Sequence, residues 1–352
     1  MRLSPRMASP PRERIAWIDA LRLLGALLIF VYDFAGDWRF VFGEPASVSG
    51  LAAVFADALP HFAEWAISLF VILAGLSLTL AWQPGADAGH YFKRRALRLL
   101  LPLWIVGVPY TATGLALGLM PIEDLWKAPF WLLGLGVVNP ATYLPVSQAW
   151  WYVTLALQCA LIVPVVMWLL NRIGTRWTLS TLVAVELLSL WAILQLPSEW
   201  HYLAQGLVFA RLLEFGVGVL AAQVLRRRTA PLESVALALL LAVAGRGADR
   251  SGAITSGATI ISWTVLVLGL SLALGDRPAS SRLLLWVGLA TYPFYLSHAP
   301  IGKYTIRVLG QAGIDSPWLV AGLALSLTTV AAFAVTRMEG GIASRLRFGT
   351  PA

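Results

Sequence analysis

Ten apolar runs dominate this sequence, most of them close to the twenty or so residues a helix needs to cross a bilayer. They are 15–35, 62–82, 97–118, 149–170, 178–196, 203–224, 232–245, 256–275, 283–309 and 318–337. No other feature constrains the fold as strongly. A backbone in hydrocarbon must satisfy its own hydrogen bonds, and only helices and closed barrels do so. Runs of this length read as membrane-spanning helices. The expected fold is all-α, a polytopic membrane helix bundle of about ten transmembrane helices. Composition agrees: 59% of residues are hydrophobic and 12% charged, where soluble domains carry about 25% charged residues. The sixteen Trp fit two interfacial belts. The seventh run is short, and 128–138 ("APFWLLGLGVV") is too short to span and is expected at the interface.

Basic residues orient the bundle, because Lys and Arg accumulate in cytoplasmic loops. One set of alternate connections holds eighteen of them, from Arg2, Arg6, Arg12 and Arg14 through Lys93–Arg98, Arg172, Arg176 and Arg226–Arg228 to Arg337, Arg345 and Arg347. The other set holds Arg39, Lys127, Arg246 and Arg250, with Lys303 and Arg307 at the end of the ninth run. The asymmetry alternates at every crossing, which places both termini in the cytoplasm. The formal net charge of +8 therefore reads as topology rather than as nucleic-acid binding. The lone Cys159 allows neither an internal disulfide nor a CxxC metal site, and no metal is expected. The basic start followed by an apolar run imitates a signal peptide, but Asp19 and Arg22 lie inside the run, so a retained first helix is expected. The expected organisation is a basic cytoplasmic tail (1–14), one membrane domain (15–337) and a cytoplasmic C-terminal tail (338–352). The longer outer connections, 36–61 and 119–148, are candidates for a lid or vestibule.

Ionisable groups inside a span are costly and mark functional sites. Asp19 and Arg22 are three apart on one helix face and are positioned to pair. Asp33 lies eleven residues beyond Arg22, almost three turns, on the same face and roughly 16 Å further along. In "RLLEFGVGVLAA" (211–222), Arg211 and Glu214 repeat the three-residue spacing, and Gly216 and Gly218 permit close helix approach. In "WVGLATYPFYLSHAPI" (286–301), Tyr292, Tyr295 and His298 form one stripe, and Pro293 and Pro300 are expected to break or kink the helix. "HFAEW" (61–65) is expected to open the second helix, with His61 and Glu64 at the same membrane face as Asp33. Glu186 completes the set. Snorkelling, packing or a structural ion pair would equally account for several of these residues taken singly.

Five segments, in order, resemble the acyltransferase-3 family of integral-membrane acyltransferases, over about 14–337. The family's opening R-x-x-x-L-D-x-L-R-G-x-A-x-x-x-V-x-x-x-H is similar to "RIAWIDALRLLGALLIFVYD", with Arg14, Asp19 and Arg22 in place. FFxxSGF is similar to "LFVILAGL" (69–76), and RRxxRLLPLY to "KRRALRLLLPLW" (93–104). RxxEFxxGxxxA matches "RLLEFGVGVLAA", and VGxxSYxxYLxHxPI matches "VGLATYPFYLSHAPI" with Thr291 for Ser.

The resemblance implies transfer of an acyl group, by default acetyl, from acyl-CoA on the cytoplasmic side to a hydroxyl near the outer face. The acceptor would be a glycan, a small hydroxylated molecule or another cell-envelope component, modified by a multi-pass protein of the bacterial cytoplasmic membrane among its lipids. Acyl-CoA would be a co-substrate, with no bound cofactor. Arg22, Arg94, Arg95 and Arg98 are placed to hold its phosphates bidentately. Asp19, Arg211, Glu214, Tyr292 and Tyr295 are further substrate-binding candidates, and Asp33, His61 and His298 are the catalytic ones.

Two departures stand out. Position 33, where the family carries the histidine regarded as its catalytic base, is Asp33. The family's WSLSxExxFYxxxP element reads "WYVTLALQCALIVP" (151–164), with Ala156, Leu157 and Gln158 at and beside the acidic positions. A carboxylate titrates near 4 and an imidazole near 6.5, so an aspartate is the weaker base unless burial raises its proton affinity. Asp33 acting as base, Asp33 orienting His61, and a catalytically impaired binder or transporter on the same scaffold are the alternatives open from sequence.

Overall fold

The computed structural model describes residues 14–42, 51–83, 85, 87–116, 118, 120–142, 147–227, 236, 257–277, 282–314 and 316–345, of which 40, 42, 51–64, 148, 205, 227, 257, 282–285, 343 and 344 are described as backbone only. Among these residues the regular elements are helices, without a strand. In chain order the helices are α1 (Ala16–Phe42), α2 (Leu51–Ala81), α3 (Ala88–Ala116), the short α4 (Ala128–Leu132), α5 (Trp151–Leu194), the one-turn α6 (Leu203–Gly206), α7 (Leu212–Arg227), α8 (Gly257–Ala273), α9 (Arg282–Gln311) and α10 (Pro317–Arg345). Three stretches are long and apolar enough to cross a membrane: α3, α5 and Pro317–Ile342 of α10. They mark an integral membrane protein. The seventh apolar run, 232–245, lies outside the described residues except for 236.

As one rod, the 44 residues of α5 would be about 66 Å long, twice the thickness of a bilayer core. Gly174, at φ 74° and ψ 175°, divides it into two arms that correspond to the fourth and fifth apolar runs. Only glycine adopts that conformation readily. The arms run antiparallel. The first carries Met167 into a cluster with Leu78, against which Trp82 and Tyr91 pack. The second starts with Thr175 Oγ1 donating to Gln223 Oε1 near the end of α7 (2.6 Å). It then reaches the start of α7, where the Leu213 amide donates to Glu186.

The frame is made by α1 packed on α2 and α9, α2 on α7, and α9 on α10. Helices α2 and α7 meet backbone to backbone. A Cβ at Gly75 would lie 2.2 Å from the Phe215 carbonyl oxygen, and one at Gly218 would lie 2.0 Å from that of Ile72. This close approach is the use of small residues anticipated for the 211–222 segment.

Three expectations change. First, α2 begins at Leu51, so 61–65 sits inside a helix instead of opening one. With α1 reaching Phe42, much of 36–61 is helical; its Ala- and Leu-rich stretch favours helix. Second, α9 runs unbroken through Pro293 and Pro300. Pro300 cannot donate to the Leu296 carbonyl, and the buried Trp150 indole donates there instead (3.0 Å). Third, the sixth run becomes helical in earnest only at Leu212, after the short turns of 203–210. Segment 122–132 forms a 3-10 turn and α4, neither long enough to span.

Candidate functional site

Asp33 on α1 and His298 on α9 are both buried. His298 Nε2 lies 2.8 Å from Asp33 Oδ2, and its Nδ1 lies 2.5 Å from the Tyr295 carbonyl oxygen. A carbonyl only accepts, so Nδ1 carries a proton. The Nε2···Oδ2 bond then holds one proton, and the pair is either imidazolium–carboxylate or neutral imidazole–carboxylic acid. Either way the pair is neutral overall, and neither ring nitrogen is free. In the ion-pair form Asp33 Oδ1, which does not take part in the bond to His298, keeps both of its lone pairs for a substrate proton. Around the imidazole, Phe294 stacks at 6.4 Å and 11°, and Phe30 meets it edge-on at 6.4 Å. These rings pack around a buried pair, and a fixed charge acts more strongly in such surroundings than in water.

His298 is placed by fastenings on either side of it along α9. The Tyr295 hydroxyl donates to the Ala149 carbonyl, the Tyr292 hydroxyl to that of Leu99 (2.8 Å), and Trp150 to that of Leu296. The expected stripe of Tyr292, Tyr295 and His298 exists. The two hydroxyls, however, tie α9 to α3 and to the turn before α5, and Tyr295 serves His298 through its backbone.

A second polar cluster lies at the other end of the same helix pair. The buried Asp19 carboxylate accepts from Arg14 Nε (2.9 Å) and Nη2 (3.0 Å) and from Arg22 Nη1 (2.9 Å). Arg22 Nη2 also donates to Ser77 Oγ (2.6 Å). Asp19 thus orients two arginines and offers no free face to an anion. It presses against α9 at Gly288, where a Cβ would come 2.5 Å from Asp19 Cγ. On α3, Arg95 lies over the Tyr91 ring, 5.6 Å from its centroid. Arg94 is exposed, and Arg98 is within electrostatic reach of Arg14, Arg22, Arg95 and Glu339. Arg14, Arg22, Arg94, Arg95 and Arg98 therefore gather at one end. Between them and the Asp33–His298 pair, Phe70, Tyr152 and Tyr295 make three mutual ring contacts at 5.4–5.8 Å.

Arg211 and Glu214 form a third, fully buried cluster. Arg211 Nη1 donates to Glu214 Oε1 at 2.9 Å, and the Ser68 hydroxyl reaches the same oxygen at 3.5 Å. Glu186 accepts the Leu213 amide at the first turn of α7, a position where a carboxylate meets unpaired N–H groups and the positive end of the helix dipole. This cluster locks α7 against α2 and α5. The His61 and Glu64 side chains lie outside the described residues.

Sequence reasoning passed over Gly288, Trp150 and Asp37. Gly288 is the glycine of the "VG" pair, and its signal was the motif itself. Asp37 was one helical turn from Asp33. Nothing in the sequence pointed to the partner of Trp150.

The family model described as an acyltransferase domain matches residues 15–337. No curated protein and no solved structure matches the chain. The chain belongs to the acyltransferase-3 family, and it is an acyltransferase-family protein of the membrane.

Proposed function

We propose that this acyltransferase-3 family member moves an acyl group, by default acetyl, from acyl-CoA to a hydroxyl of a carbohydrate or other cell-envelope acceptor. It would do so in the bacterial cytoplasmic membrane, as a bundle of about ten spans. The arginine-rich end faces the cytoplasm and the Asp33–His298 pair faces outward. The observation that supports this most is that one helix pair carries both clusters. Asp19, paired with Arg22 on α1, meets Gly288 on α9, and eleven residues beyond Arg22, Asp33 meets His298 on the same two helices. Roughly 16 Å of helical rise separates the two, a distance the extended phosphopantetheine arm of CoA spans.

In this reading the arginines hold the phosphates of CoA. Asp33 Oδ1 takes the proton of the acceptor hydroxyl as its oxygen attacks the thioester carbonyl. The imidazolium stays beside the developing oxyanion. The C–S bond then breaks, and the CoA thiolate receives the proton that Asp33 accepted. Tyr292, Tyr295 and Trp150 position His298, and Arg211, Glu214 and Glu186 keep α7 in place.

The test is transfer of radiolabelled acetyl from acetyl-CoA by the purified full chain to a broad panel of hydroxylated acceptors, with hydrolysis followed in parallel. Measurable turnover is expected. Neither transfer nor hydrolysis, with a His-bearing family member active in the same assay, would overturn the reading. One observation favours the runner-up, an impaired binder or transporter: the imidazole has no free nitrogen. That reading expects the Asp33→His variant to create transferase activity where the parent has none.

A further inference from the structure

Resting on the transferase reading, the charges beyond the Asp33–His298 pair bear on which acceptor is used. Asp37 is one turn past Asp33 on α1. Lys303 and Arg307, themselves one turn apart, lie five and nine residues past His298 on α9. Asp37 is within electrostatic reach of Lys303, Asp33, His298 and Arg307, so these groups continue directly from the pair. All three are half-buried, and among the described residues neither cation forms an ion pair. With Asp33–His298 neutral overall, two cations face one carboxylate, which leaves one positive charge uncompensated among these described groups.

Aromatic faces border the same region. Phe34 and Trp38, both half-buried, stack along α1 at 6.1 Å and 28°, above the buried Phe30. On α9 itself, Tyr304 stacks on Tyr110 of α3 at 4.9 Å, and both rings lie within electrostatic reach of Arg307. Flat aromatic faces beside charged donors suit a sugar ring that carries an acidic group.

A snorkelling lysine and arginine at a membrane interface would be the ordinary explanation. On the topology above, however, this chain keeps eighteen basic residues on the cytoplasmic side and very few outside. Two of those few sit half-buried on the helix that carries His298.

We propose that Lys303 and Arg307 form an anion subsite for the acceptor, which is therefore an acidic hydroxylated molecule such as a uronic-acid sugar. The two cations hold its negative group and bring a ring hydroxyl of the same residue to Asp33 Oδ1. Asp37 limits the excess to a single positive charge, so a monoanionic carboxylate is favoured over a phosphate dianion.

The test uses the full chain in lipid nanodiscs with three probes: methyl glucuronide, methyl glucoside and methyl glucoside 6-phosphate. Acetyl transfer from labelled acetyl-CoA and direct binding by saturation-transfer NMR are measured for each. The expected preference for glucuronide over glucoside is about tenfold, the worth of one charge-assisted hydrogen bond, and it falls with added salt. The Lys303→Gln/Arg307→Gln variant should reduce that preference to within about twofold, with Cys159 still protected from thiol reagents as a check of folding. Turnover of acetyl-CoA without any charge preference overturns the subsite and leaves the transferase reading standing. Absence of all turnover together with selective glucuronide binding overturns the transferase reading and supports the subsite. Equal or absent binding of the charged and neutral glycosides, without a preference in transfer, overturns the subsite. A phosphate preference overturns the monoanion assignment.

Discussion

Replacing Trp150 by Phe tests how α9 tolerates Pro300 beside His298. The indole is 1% exposed and donates 3.0 Å to the Leu296 carbonyl, the acceptor that Pro300 leaves without its helical N–H. Phe removes the donor and strands a buried carbonyl, at a cost of about 1–3 kcal/mol. Pro300→Ala supplies an amide at the helical position. In the parent it adds a second donor to an acceptor already served. In the Trp150→Phe background it restores the only one. Loss of indole volume and loss of the proline ring contribute in both backgrounds and cancel in the double-mutant cycle, leaving a coupling of about 1–2 kcal/mol. Cys159, the only cysteine and 1% exposed, provides the assay. A thiol-reactive fluorogenic dye reports its exposure during a thermal ramp in detergent. Trp150→Phe should lower the midpoint by several degrees, at roughly 2–4 °C per kcal/mol, and adding Pro300→Ala should recover about half of that. Strictly additive effects, within about 0.5 kcal/mol, would show that the indole does not replace the missing helical bond.

Further outcomes follow from the same geometry. Gly288→Ala places a Cβ 2.5 Å from Asp19 Cγ and displaces the carboxylate that orients Arg14 and Arg22. The KM for acetyl-CoA should rise about tenfold, the worth of a charge-assisted contact, while kcat changes little, as measured by donor titration. Gly218→Ala, with a Cβ 2.0 Å from the Ile72 carbonyl oxygen, forces α2 and α7 apart. It should destabilise by about 3 kcal/mol, read by Cys159 exposure. His298→Ala leaves a buried carboxylate without its partner. It should cost about 3–5 kcal/mol of stability as well as activity, whereas His298→Gln, which can donate to Asp33, should recover much of the stability and little of the activity.

What the sequence disclosed follows the range of the interactions involved. The Asp19–Arg22 pairing is a three-residue contact on one helix, and helical spacing was enough to find it. The same holds for Arg211 with Glu214. Asp33 and His298 were each singled out as ionisable groups in apolar runs, but they are 265 residues apart. Their bond depends on α1 packing against α9, which spacing along one helix does not encode. Tyr292 and Tyr295 lie on the face that was expected. Their hydroxyls turn to carbonyls on other elements because buried hydroxyls seek the nearest acceptor. A break at Pro300 does not occur, and a donor from the turn before α5 serves the carbonyl that the proline leaves open. The break in α5 showed only as a polar gap between two runs, with Gly174 inside it as the hinge.

The central claim, that Asp33 is the group that accepts the proton of the acceptor, is tested most directly by Asp33→Asn. The asparagine amide donates to His298 Nε2 in the neutral tautomer that Nδ1–H···O=C enforces, so the fold and the thermal midpoint should be kept. Acetyl transfer, measured as kcat/KM with labelled acetyl-CoA, should fall by about 10²–10⁴, the range of a lost general base. A variant that retains transfer to within about threefold of the parent, far less than that range, would contradict the assignment.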